Sequence, residues 1–138
     1  MFDTAGQEDF DRLRPLSYPD TNVVLICFSV DSPVSAKSVV EKWMPEVRHF
    51  CGRCPVIIVA CKKDLRNDYQ TIMKLKETGE KPVSMELGKQ IAAHVKADAY
   101  IECSAKTRDG VHELFVQAAR LSLKKGSHYR PSKRCTLF

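Results

Sequence analysis

Three short stretches of this 138-residue chain carry the residue types that ligand chemistry needs. Asp3-Thr4-Ala5-Gly6-Gln7 places a carboxylate, a glycine and a carboxamide close together. Cys61-Lys62-Lys63-Asp64 sets amines beside a carboxylate, and Ser104-Ala105-Lys106 adds a hydroxyl and another amine. Singly, each has an ordinary explanation: Asp3 suits a cap or turn, and D-x-x-G tetrapeptides are common. Lys62-Lys63-Asp64 alone reads as a solvated charge cluster, and Ser104-Ala105-Lys106 alone says almost nothing. Placement changes their weight. All three are expected at the carboxyl ends of strands, where open α/β sheets bind their ligands. A separate chemistry closes the chain, because Cys135-Thr136-Leu137-Phe138 has the form of a C-a-a-X box. A terminal Phe there favours a geranylgeranyl group on Cys135.

The elements that must position these residues are legible as alternating strands and helices. Asn22 to Val30 is a continuous apolar, β-branched run suited to a strand covered on both faces. Ser32 and Pro33 supply an N-cap and a first helical residue. The helix that follows carries Val39, Val40, Trp43, Val47 and Phe50 on one stripe, ends near Gly52, and should be kinked by Pro45. Pro55 to Cys61 is a second buried strand. Asn67 to Pro82 is polar, with Ile72, Met73 and Leu75 as its few anchors and a short exposed helix as its expected form. Ser84 caps a helix to about Val95, and Ala99 to Cys103 is a third strand. Val111 to Leu123 is an amphipathic helix with Leu114, Phe115, Ala118 and Leu121 inward. This order predicts an α/β fold around a mostly parallel sheet, without repeats or a second domain.

The length suits a single domain, and 43% hydrophobic with 28% charged residues excludes a chain disordered throughout. The net charge of +5 is largely a property of the last stretch. Arg120, Lys124, Lys125, Arg130, Lys133 and Arg134 crowd there, which points to anionic lipid and not to nucleic acid as the partner. No apolar run approaches the ~18 residues that span a bilayer, and Met1-Phe2-Asp3 has no signal-peptide character. A cytosolic chain with reduced thiols is expected. Cys27, Cys61 and Cys103 then read as small hydrophobes within apolar runs. Cys51-Gly52-Arg53-Cys54 has the spacing of a redox or zinc half-site. It has no second Cys/His pair, so it reads as a polar turn.

"DTAGQEDFDRLRPLSYPDT", "KKDLRND" and "ECSAKT" resemble the pattern of Rho-family small GTPases, a branch of the Ras superfamily. The polar segment at about 67–82 resembles the insert that sets Rho proteins apart. The resemblance implies a partial small GTPase domain over 1–125, with a second switch at about 5–18, followed by a basic hypervariable tail over 126–138 with its prenylation box. It also implies roles. Asp3 would hold Mg²⁺ through a water, the Gly6 N–H would meet the γ-phosphate of GTP, and Gln7 would orient the attacking water. Phe10, Leu13, Arg14 and Leu16 would offer a surface to Rho regulators and effectors. Asp64 would select guanine over adenine by accepting from N1–H and the exocyclic amine. Lys62 would lie along the base, and Ser104, Ala105 and Lys106 would close its pocket. The family's base motif usually begins with Asn, where this chain has Cys61, as in the Rnd and Rif-like branches; the weaker thiol should cost about 1–3 kcal/mol of affinity.

The resemblance also implies parts that the sequence does not contain. No G-x-x-x-x-G-K-[ST] occurs among its six glycines. The first strands, the phosphate loop and the first switch would precede Met1, so the expected fold is an incomplete P-loop NTPase lacking its first strands. The implied function is GTP binding and hydrolysis in signalling to the actin cytoskeleton, with this chain inactive by itself. The alternatives are a non-catalytic, lipid-anchored binding module or a fragment without function. The prenyl group and basic tail would place it on the cytoplasmic face of the plasma membrane or endomembranes.

Overall fold

A computed structural model of the chain describes residues 1–126. The tail beyond Gly126, with Arg130, Lys133, Arg134 and Cys135, lies outside the described residues. β1 (Val24–Ser29), β2 (Val56–Cys61) and β3 (Ala99–Glu102) form one parallel sheet in that order. Val24 pairs with Val56, and Ile57 with Ala99. Parallel neighbours cannot be joined by a hairpin, so each link is a helical crossover. The first is α1 (Pro33–Ser38), a π turn (Val39–Trp43) and α2 (Met44–Cys51). The second is a 3₁₀ turn (Lys63–Asn67), α3 (Tyr69–Glu77) and α4 (Met85–His94), and α5 (Val111–Gly126) follows β3.

The caps form where the residue types put them. Ser32 accepts from the Ser35 N–H at 3.3 Å, Asp68 from Thr71 at 2.9 Å, and Ser84 from Leu87 at 3.1 Å. Pro45 is accommodated inside the helical run. It lacks an N–H, and its ring would press on the carbonyl of Glu41 in an ordinary turn. The turn ahead of it widens, with the Met44 N–H reaching back to the Val39 carbonyl, and the helix runs on to Cys51 without a break.

Helices cover both faces of the sheet. Ile26, Phe28, Val30, Val56, Ile58 and Ala60 pack with Ala36, Val39, Met44, Val47 and Ala92 on one side. Ile57, Val59 and Cys103 pack with Leu114, Ala118 and Leu121 of α5 on the other. Three expectations of burial are corrected. Phe50 is exposed and stacks on Tyr18, with ring centroids 5.5 Å apart. Phe115 lies outside the α5 stripe, and Ile72 and Met73 are exposed because α3 buries nothing. Cys27 is also exposed, since α5 reaches the second face over β2 and β3 and leaves that position of β1 bare.

Among the described residues β1 pairs only with β2, so its other edge is an unpaired row of N–H and C=O groups beside apolar side chains. A polypeptide of these 138 residues is therefore expected to self-associate. Cys27→Lys, which sets a charge beside that edge, should shift its elution toward the monomer. A monomeric profile with a sharp melt in the parent chain would contradict this reading.

Candidate functional site

The residues expected to form a binding crevice fall into two groups. One is assembled at the carboxyl ends of β2 and β3. β2 ends at Cys61, and Lys62 then takes up a left-handed conformation (φ 56°) that turns the chain out of the strand into the 3₁₀ turn. Its ammonium lies 3.8 Å from Asp31, which follows β1 and takes a hydrogen bond from Ser29. Lys63 N–H donates to the Cys103 carbonyl at 3.1 Å, stitching the two loops together. The hydroxyl of Ser104, fully buried, donates to Oδ1 of Asp64 and accepts from the Thr107 N–H at 3.2 Å. Lys63 Nζ reaches Asp109 at 2.5 Å, and Ser104 N–H donates to the Asp109 carbonyl at 2.9 Å. Ala105 and Lys106 stay exposed at the rim. An open hollow beside these loops is lined by Lys63, Asp64, Arg66, Glu102, Thr107 and Asp109, and does not include Lys62, Ser104, Ala105 or Lys106.

Gly110 makes this closure possible. Its φ of 76° and the absence of a Cβ let the Glu102 carbonyl pass through space that any side chain would occupy. Two of the hollow's lining residues, Arg66 and Glu102, form a brace that sequence reasoning missed. Arg66 holds both oxygens of Glu102, at 2.8 and 2.6 Å, and donates through Nε to the Val83 carbonyl at 2.9 Å. Tyr100 adds a hydroxyl bond to Glu102 at 2.6 Å. Burial alone would raise the Glu102 carboxyl, but these hydrogen bonds outweigh it and hold the group below its ordinary 4.5. An Arg and a Glu this far apart in sequence give no pairing signal by spacing.

Cys61 stays a neutral thiol. Its hydrogen bond with Cys27 and its burial push it well up, and burial pushes Cys103 up to about 11. Cys61 and Cys103 therefore add no negative charge at neutral pH, while the same hydrogen bond moves the Cys27 thiol the other way, down from its ordinary value. Cys51 and Cys54 end up at a helix terminus. Cys54 is buried with its thiol directed to the Thr21 carbonyl at 3.4 Å, and Cys51 lies 3.9 Å from that of Tyr18.

The second group is Asp3 to Gln7. All three described strands come later in the chain, so this loop does not follow a strand, contrary to expectation. It runs exposed as far as a 3₁₀ turn (Glu8–Phe10). Asp3 lies near enough to Cys27 to act on its thiol. A Cβ built on Gly6 would sit 3.4 Å from the Trp43 ring, an ordinary contact, so packing within the chain does not itself demand glycine there. What holds the loop is Arg14, whose guanidinium bonds the carbonyls of Ala5 and Gln7. Arg14, with Lys42, holds the Asp11 carboxyl below the usual range. Phe10, Leu13 and Leu16 remain 43%, 59% and 75% exposed.

A family model described as the Ras family matches residues 1–124. The chain is 54% identical to the GTP-binding protein RHO1 of Candida albicans over 137 residues, covering 99% of this chain and 69% of that protein. It is 52% identical to RHO1 of Saccharomyces cerevisiae over 147 residues, 99% of this chain and 70% of that one. It is 57% identical to rho5 of Schizosaccharomyces pombe over 125 residues, 91% of this chain and 62% of that one.

The brace at Glu102 sets a pH dependence. A carboxyl held low in the fold contributes its full stability above the unfolded value and loses it as pH falls through the lower folded value. Thermal melts should therefore weaken as pH falls below the ordinary glutamate range and through the lower folded value. Glu102→Gln should cost about 2 kcal/mol near neutrality and flatten that slope. A variant whose stability falls with pH as steeply as the parent's would remove Glu102 from this role.

Proposed function

The chain belongs to the Ras family of small GTPases, on its Rho branch, and on that premise we propose that it forms the guanine-binding and water-positioning part of a GTP-hydrolysing switch. The observation that carries this reading is the Asp64–Ser104 bond, with the Lys63–Cys103 backbone bond beside it. Two loops far apart in sequence are locked together, with the Asp64 carboxylate held between them. Guanine presents adjacent N–H donors on one edge, and a carboxylate fits that pair. Oδ1 already accepts from Ser104, but carboxylate oxygens carry several lone-pair sites, so capacity for the base remains. Lys62 would flank the base, and a backbone N–H of the Ser104-Ala105-Lys106 loop would meet its carbonyl oxygen. Cys61 would serve as a weak substitute for a carboxamide.

At the other end, Gly6 has no internal steric reason to be glycine, which suits a backbone that a phosphate approaches closely. Gln7 would orient water for attack on the γ-phosphate. When bound, Mg²⁺ supplies charge neutralisation at the phosphates. Mg²⁺ keeps several waters and needs only one or two carboxylates beside the phosphates, so exposed Asp3 fits as a water-mediated partner. Among the described residues no cluster of three or more His, Cys, Asp or Glu could hold a metal unaided.

The exposed Phe10, Leu13 and Leu16 favour a further role, presenting the second switch to Rho regulators and effectors. Among the described residues no helix is long and apolar enough to cross a membrane. Attachment would come from a prenyl group on Cys135, assisted by the basic tail. Cys135→Ser should release a tagged chain from membranes into the soluble fraction; a variant that remains bound would exclude the lipid anchor.

A polypeptide of these 138 residues should bind GTP poorly, because base contacts alone leave the triphosphate without its cradle. Grafting a Rho-type section from first strand through first switch onto Met1 should restore Mg²⁺-dependent binding. In that graft Gln7→Leu should lower kcat by about 10- to 100-fold with little change in Kd, since only water positioning is lost. Asp64→Ala should instead weaken guanine nucleotide binding by about 3 kcal/mol, roughly a factor of 100. Hydrolysis indifferent to Gln7, or tight GTP binding by the ungrafted chain, would overturn the assignment.

A further inference from the structure

Arg14 is the only buried charged residue among those described, with a side chain 3% exposed. Its Nε donates to the Ala5 carbonyl at 2.9 Å, and Nη2 donates to the Gln7 carbonyl at 3.2 Å and to Asp11 at 2.6 Å. Nη1 donates to Oε2 of Glu46 at 2.9 Å, and the guanidinium lies 4.8 Å over the Trp43 ring. The other oxygen of Glu46 accepts from the Tyr18 hydroxyl at 2.6 Å. One carboxylate on α2 thus holds both ends of the segment 5–18, the front through Arg14 and the back directly.

Peptide geometry gives this clamp its consequence. A trans peptide is planar, so fixing the Ala5 carbonyl also fixes the Gly6 N–H, which points the opposite way. The carbonyl of Gln7 likewise fixes the peptide that follows the Gln7 side chain. The geometry points to Glu46 as a positioning residue that, through Arg14, aims the Gly6 N–H and holds Gln7 in place. This rests on the proposed roles of Gly6 and Gln7. A lysine at position 14 would keep the charge but lose the planar fork that reaches two carbonyls and two carboxylates together.

Three readouts on the 138-residue chain test the clamp without nucleotide. Trypsin cleavage after the exposed Arg12 reports release of the segment. Emission and acrylamide quenching of Trp43, the only tryptophan, report the space between Gly6 and the ring. Cleavage after Arg66, which Glu102 and the Val83 carbonyl hold in place, reports global opening. Glu46→Gln and Arg14→Lys should each speed cleavage after Arg12 by about tenfold, red-shift Trp43 and leave cleavage after Arg66 at the parent rate. The double variant should be no faster than Arg14→Lys alone, because Glu46 reaches the front of the segment only through Arg14. Tyr18→Phe, which spares the Arg14 bonds, should leave cleavage after Arg12 near the parent rate. Equal acceleration after Arg12 and Arg66, additive single effects, or a Tyr18→Phe release equal to that of Glu46→Gln would overturn the clamp. None of these readouts depends on GTP, so their failure is distinct from failure of the hydrolysis test.

Discussion

Five consecutive residues of β2, Val56 to Ala60, have no exposed surface. A strand with no solvent face cannot slide by one residue to trade faces, and both its edges must be paired. That constraint fixes β1 and β3 on either side and calls for helices above and below. It also brings the carboxyl ends of all three strands to one rim, and the Asp64–Ser104 junction is a product of that rim. Removing a large side chain from this strand would open a cavity at the centre of both cores, at a cost of about 2–5 kcal/mol.

Burial on two faces is also why the sheet was legible in the sequence. Unbroken β-branched runs at Asn22–Val30 and Pro55–Cys61 have few other readings, and Ser32, Pro33 and Ser84 carry their capping chemistry in their own side chains. The misses have a common physical origin in neighbours far along the chain. Phe115 has helical spacing, but which flank of α5 meets the sheet is decided by β2 and β3. Cys27 continues an apolar run, and only the limits of α5 leave it bare.

The site shows the same division. Asp64 and Ser104 could be placed at strand ends, and the structure joins them. Arg66 and Glu102 could not be paired in advance, nor could Arg14 and Glu46, because an ion pair between distant segments leaves no periodic trace. Both pairs hold loops by gripping backbone carbonyls: Val83 in one case, Ala5 and Gln7 in the other. Arginine suits this use, since its several N–H groups diverge in a fixed plane and can serve carboxylate and carbonyl together. Each brace joins a loop that carries candidate ligand-binding residues to a packed element behind it.

The backbone at Lys62 carries a local cost. A side chain in the left-handed region is strained by ~1 kcal/mol relative to glycine. Glycine would relieve that strain, yet it would delete the ammonium that sits beside Asp31. Asp20, Lys96 and Arg108 take up a positive φ as well, so among the described residues the exit from β2 is one of four places where the chain bears this strain without glycine.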